Sequence, residues 1–128
     1  MVLEKEDGAD RLGVSPIDQL ISMAERLGVG ETMEMRTVRV EALAALDLVT
    51  LKTLIVRYHE LGELIVNAKP DNPKAQIGLS LLITAIYFSK GMRADYKAGI
   101  EDALLYAEHI GETELVESLT KLMHPARP

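Results

Sequence analysis

Residues 77–88 limit what this chain can become more than any other stretch. They are twelve residues of isoleucine, leucine, alanine, tyrosine and phenylalanine, broken only by Gly78, Ser80 and Thr84. Crossing a bilayer takes about 20 apolar residues, so the run predicts a buried helix and no membrane span. A helix that is apolar nearly all round has to be covered on most of its faces. Its limits are marked by Lys69-Pro70-Asp71-Asn72-Pro73 before it and Gly91 after it. Two prolines and two capping residues stop one helix and start another, which predicts a helix over 73–90 with Asn72 as its cap and Pro73 in its first turn.

The remaining elements read as helices that could supply the cover. Ser15-Pro16-Ile17-Asp18 has the order of cap, first-turn proline and early carboxylate, and Ile17, Leu20, Ile21, Ala24 and Leu27 recur at three-four spacing. That predicts a helix over about 16–27, ended by Gly28 and Gly30. Met33, Met35, Thr37, Val38 and Val40 alternate with charged residues at a period of two, as a short strand would. No second strand stands ready to pair with it, and a lone strand leaves its backbone groups unpaired. We therefore read helix from about Thr32. Leu51, Leu54, Tyr58, Leu61, Ile65 and Ala68 form a heptad-like seam, widened by Leu48, Ile55 and Gly62. Asp47 falls where that seam asks for an apolar residue; it either caps a new helix or marks a kink in a longer one. Two amphipathic helices close the chain, one carrying Tyr96, Ile100, Ala103, Leu104, Ala107 and Ile110, the other Leu115, Val116, Leu119, Leu122 and Met123. Residues 94–123 resemble in outline a tetratricopeptide-type helical hairpin, although large and small residues do not fall at that repeat's spacing.

The expected fold is all-α, a single compact bundle of about five helices with the apolar 73–90 helix at its centre. A length of 128 residues suits one domain. We expect a flexible acidic segment over 1–14, a helical domain over 15–124 and a tail over 125–128. The opening segment has no apolar run of the secretory type, which sets the cytoplasm as the expected compartment. With no cysteine in the chain, disulfide frameworks, thiolate metal sites and cysteine nucleophiles are excluded.

Charge is unevenly spread. The chain carries −6 overall, yet residues 35–100 hold nine bases against six acids, while both flanks are acidic. Within the basic middle, Lys90, Arg93 and Lys97 recur at helical spacing around Gly91, near Tyr87, Phe88 and Tyr96. They are the candidate contacts for an anion or a partner, including a nucleic-acid backbone. The plainer reading is a solvated face that pairs with acidic segments of a neighbouring subunit, because nucleic-acid binders usually carry a stronger positive balance. The three histidines lack ligand spacing, no G-x-S-x-G elbow or phosphate loop exists, and no catalytic, cofactor-binding or metal-ligating residue is nominated. Methionines 23, 33, 35, 92 and 123 suit either core gaps or an adaptable partner surface.

His59-Glu60-Leu61-Gly62-Glu63-Leu64 resembles part of the first metal motif of the all-α nucleoside triphosphate pyrophosphohydrolases. The resemblance implies that Glu60 and Glu63, one helical turn apart, would share a magnesium ion with a second Glu-x-x-Asp pair on the next helix. That helix here reads AQIGLSLLITAIYF and has no acid. The expectation is instead a non-enzymatic interaction or assembly protein, a homo-oligomer and most simply a dimer, or the small subunit of a complex. Its basis is supply: the seam and the 73–90 helix together ask for more apolar cover than two short amphipathic helices of one copy provide.

Overall fold

The computed structural model describes residues 16–123, and these fold as six helices with no strand among them. The helices are α1 (Pro16–Arg26), α2 (Met33–Ala44), α3 (Leu48–Asn67), α4 (Ala75–Ser89), α5 (Arg93–His109) and α6 (Thr113–Met123). The acidic opening segment, the cap expected at Ser15 and the tail all lie outside the described residues. No described helix is long and apolar enough to cross a membrane.

Six helices replace the expected five because Asp47 is a cap. Its carboxylate accepts the backbone N–H of Thr50 at 2.9 Å, and its backbone is extended, so α2 and α3 are separate helices. Hydrogen bonding from the Thr50 side chain, and then from its backbone N–H, holds the Asp47 carboxyl below its ordinary range. Residues 33–41 are helical despite their alternation. Thr32 caps α2 by accepting from Met35 N at 3.1 Å, and Met35, Val38 and Ala42 are the residues it buries. Helical spacing was present inside the period-two pattern, at Met35, Val38 and Ala42.

The apolar helix α4 starts two residues later than expected. Asn72 does not cap it; its Oδ1 accepts from Lys74 N at 3.2 Å, forming a turn. Its amide nitrogen donates to the carbonyl of Leu27 at 2.8 Å, and the Lys69 ammonium donates to the carbonyl of Gly28. The α3–α4 turn thus satisfies carbonyls that the end of α1 leaves without helical partners.

Two hydrophobic clusters make the core, and α4 belongs to both. Ala75, Leu79, Leu82 and Ile86, spaced by four, three and four, pack with Met35, Val38 and Ala42 of α2 and with Leu51, Ile55, Tyr58, Leu61 and Val66 of α3. Ile77, Leu81 and Ala85, spaced by four, pack on the other side with Leu20 and Met23 of α1, Ile100, Ala103 and Ala107 of α5, and Leu115 and Leu119 of α6. This is why the helix is apolar all round. The shortage of cover expected for residues 77–88 is met within one chain: α1, α2, α3 and α5 all contact α4, and only Phe88 of its large apolar residues counts as exposed. Thr84 is buried on α4 with its hydroxyl donating to the carbonyl of Ser80 at 2.7 Å, so no polar group there lacks a partner.

Two glycines let helices close on α4. A Cβ at Gly62 of α3 would fall inside the side chain of Leu79, and one at Gly99 of α5 would fall on the hydroxyl of Thr84. Gly62→Ala should therefore lower the unfolding free energy by about 1–3 kcal/mol through overpacking. Gly30→Ala, at an exposed position with nothing within 4 Å, is the control and should change little. Urea unfolding followed by circular dichroism measures both.

Candidate functional site

Lys90, Arg93 and Lys97 do not form one stripe. The spacing reads as helical only if the helix continues, whereas α4 ends at Ser89, Gly91 turns the chain with φ +72°, and α5 begins at Arg93. The Lys90 ammonium donates to the carbonyls of Leu43 and Ala45, at 3.2 and 2.7 Å. It supplies at the C-terminal end of α2 the cation that this helix's own last turn lacks. Arg93 and Lys97 are exposed and lie beside an open cavity of about 770 Å³, lined by Phe88, Met92, Tyr96, Ile100, Leu122 and Met123. The Phe88 and Tyr96 rings pack at 4.9 Å with a tilt of 59°. Burial pushes the Tyr96 hydroxyl above its ordinary range.

The glutamates of the HELGEL segment face outward. Glu60 lies 3.7 Å from Arg57, and Glu63 lies 3.9 Å from His59. Among the described residues, no three histidine or carboxylate side chains gather as a metal site would require. His109 is exposed and stacks on Tyr106, while His124 lies outside the described residues. Met23 and Met35 fill the core, as gap-filling thioethers do, whereas Met33 is 78 % exposed.

The most distinctive surface belongs to α2 and α3. The expected seam of α3 faces inward: Leu51, Tyr58 and Leu61 are buried, and Leu54 and Ile65 are partly buried against the same cluster. Only Ala68, beyond the end of the helix, is exposed. A second apolar row on α3 has no cover among the described residues. Val49 is 76 % exposed, Val56 57 % and Leu64 69 %. At 100° per residue these three span about 80° of the helix circumference, opposite the buried seam. On α2, Met33 and Val40 are likewise exposed and share a face, seven residues apart. The linker between the helices adds Leu46, which is fully exposed, and Leu48 follows it at the start of α3. Met33 and Leu64 flank a shallow groove between the start of α2 and the second half of α3. Sequence reasoning missed Val49, Val56 and Leu64. Their seven- and eight-residue spacing was the available signal, masked by the stronger seam on the same helix.

The hairpin carrying this face is pinned by a buried polar cluster. Glu31, just before the cap of α2, has a side chain only 4 % exposed. It accepts two bonds from the Arg39 guanidinium, at 2.6 and 3.1 Å, and one from the hydroxyl of Tyr58 on α3. A bidentate guanidinium–carboxylate pair fixes orientation as well as distance. The hydrogen bond to Glu31 raises the Arg39 pKa, so the guanidinium keeps its charge. Burial, followed by the bond to Glu31, pushes the Tyr58 hydroxyl far above its ordinary value. On the surface, Arg57 joins α3 to α2 through Glu34 at 2.8 Å; both side chains are half-exposed or more, so the pair adds little stability.

Compared with family models, with curated proteins and with solved structures, the chain matches none.

Tyr58 gives the fold a pH dependence with a definite sign. A folded-state pKa raised above the unfolded value of 10.0 leaves stability unaffected below pH 10. Above that, the unfolded chain loses a proton that the folded one keeps, and stability falls. The slope expected from this hydroxyl is about 1.4 kcal/mol per pH unit. Tyr58→Phe should remove that slope between pH 10 and 11, while costing about 1.5–3 kcal/mol at pH 8 for the lost bond to the carboxylate. Urea unfolding of both proteins across this range measures the difference.

Proposed function

We propose that the protein is a non-enzymatic assembly module that works as a homo-oligomer, most simply a dimer, through the outer face of the α2–α3 hairpin. The observation that carries this reading is the exposure of Met33 and Val40 on α2 and of Val49, Val56 and Leu64 on α3, with Met33 and Leu64 flanking one groove. Scattered apolar residues on a surface are ordinary, but a cluster on one rigid pair of helices marks an interaction site. Burying each such side chain is worth roughly 1.5–3 kcal/mol, so their joint cover offsets a large part of the cost of association.

The charges around the face favour a partner that is neither strongly acidic nor strongly basic. α2 and α3 carry Arg36, Arg39, Lys52 and Arg57 against Glu34, Glu41, Glu60 and Glu63. A second copy of the chain meets that balance. Within the molecule α4 finds its cover, and the exposed apolar side chains lie on the far side of α3.

Light scattering at tens of micromolar should give twice the 14.1 kDa chain mass. Val56→Asp should return the chain mass with unchanged helical circular dichroism, because Val56 is exposed in the single chain and its replacement leaves the core intact. A wild-type protein of 14.1 kDa under these conditions would remove the proposal.

A further inference from the structure

Arg93 and Lys97 stand one turn apart on α5, so both side chains leave the helix on the same face. That face forms one wall of the 770 Å³ cavity, which Phe88 of α4 and Met123 at the end of α6 also line. We propose that this cavity binds a small carboxylate with an apolar body. The site is independent of the assembly face: its described lining comes from α1, α4, α5, α6 and the α4–α5 turn, and none of it from α2 or α3.

Charge fixes the sign of the ligand. The chain carries −6, yet the charged side chains lining the cavity among the described residues are Arg93 and Lys97. Neither takes part in an ion pair among the described residues. The acids of α5 lie elsewhere. Asp95 acts on the Tyr87 hydroxyl, Asp102 lines a separate notch with Ser80, and Glu101 is exposed outside the cavity lining. Two cations without a counter-charge, set at a concave apolar wall, concentrate an anion there. A guanidinium and an ammonium match the two oxygens of one carboxylate. A nucleic-acid backbone is held by a longer track of cations than this pair.

The rest of the lining fixes the body of the ligand. The Phe88 and Tyr96 rings, 4.9 Å apart and tilted by 59°, make an aromatic corner. Met92 and Met123 add flexible thioethers that conform to an alkyl chain. The volume lies within the roughly 300–1,000 Å³ of small-molecule sites, which are mostly apolar with a few placed polar groups. A purely apolar ligand would leave both cations unused, and a small hydrophilic anion would leave the aromatic corner to water. An amphiphilic carboxylate answers both.

Methionine methyl NMR on the full chain tests this, because Met92 and Met123 line the cavity while Met33, exposed on α2, reports unspecific adsorption. The probes are decanoate, kept below its micelle-forming concentration near neutral pH, and decanol, its uncharged counterpart. Decanoate should shift the Met92 and Met123 signals along one saturating curve, leave Met33 in place, and bind about tenfold more tightly than decanol through two solvent-exposed charge contacts. Arg93→Gln combined with Lys97→Gln should lower decanoate binding to the level of decanol. Both positions are exposed, so helical circular dichroism should stay unchanged. Equal binding of the two probes by the wild-type chain would overturn the proposal, as would Met33 shifting in step with Met92 and Met123. Absence of any shift in the full chain would also overturn it, and shifts that then emerge once residues 1–14 are removed would assign the cavity to the chain's own opening segment.

Discussion

The fold depends on one helix serving two cores. α4 offers Ala75, Leu79, Leu82 and Ile86 to α2 and α3, and Ile77, Leu81 and Ala85 to α1, α5 and α6. Each set follows the three-four rhythm of one helix face, and together they bury most of the helix, leaving Gln76, Ser80 and Phe88 exposed. A helix so apolar has no stable position at the edge of a bundle, because solvation of one face would forfeit the burial that holds the other helices to it. The other five helices can be only partly apolar because α4 carries the apolar surface for both sides.

Close contact with α4 requires small residues at its neighbours' crossing points. Gly62 and Gly99 meet that need on α3 and α5, which is the physical reason for glycine in the interior of two long helices despite its poor propensity there. The periphery is tied by polar contacts of long reach. Lys69 and Asn72 cap the end of α1, and Lys90 caps the end of α2. Glu31 joins Arg39 and Tyr58 behind the α2–α3 hairpin. These contacts hold the hairpin in place, and the valine and leucine side chains of its outer row stay exposed.

Much of this architecture was legible from local chemistry. Lys69-Pro70-Asp71-Asn72-Pro73 and Gly91 marked the breaks, and the seam from Leu51 to Ile65 marked the inner face of α3. What escaped were decisions made between residues far apart in the chain. Arg93 and Lys97 looked continuous with Lys90 because spacing was counted through a turn. The second row of α3 could not be assigned to solvent until the positions of α2 and α4 were known. The apparent shortage of cover for α4 was an error of the same kind, since the burial capacity of a bundle depends on how its helices are arranged around the apolar one.

The amino-acid sequence alone determined the helical class, the positions of most helix ends and the need to bury residues 77–88, since caps, prolines, glycines and apolar spacing act within one or two turns. Tertiary structure decided that Lys90 belongs to the end of α2, that Glu31 closes on Tyr58, and that Val49, Val56 and Leu64 stay uncovered. Each of those outcomes is set by which surfaces meet across 27 to 47 residues of chain or fail to meet at all, and no local pattern carries that information.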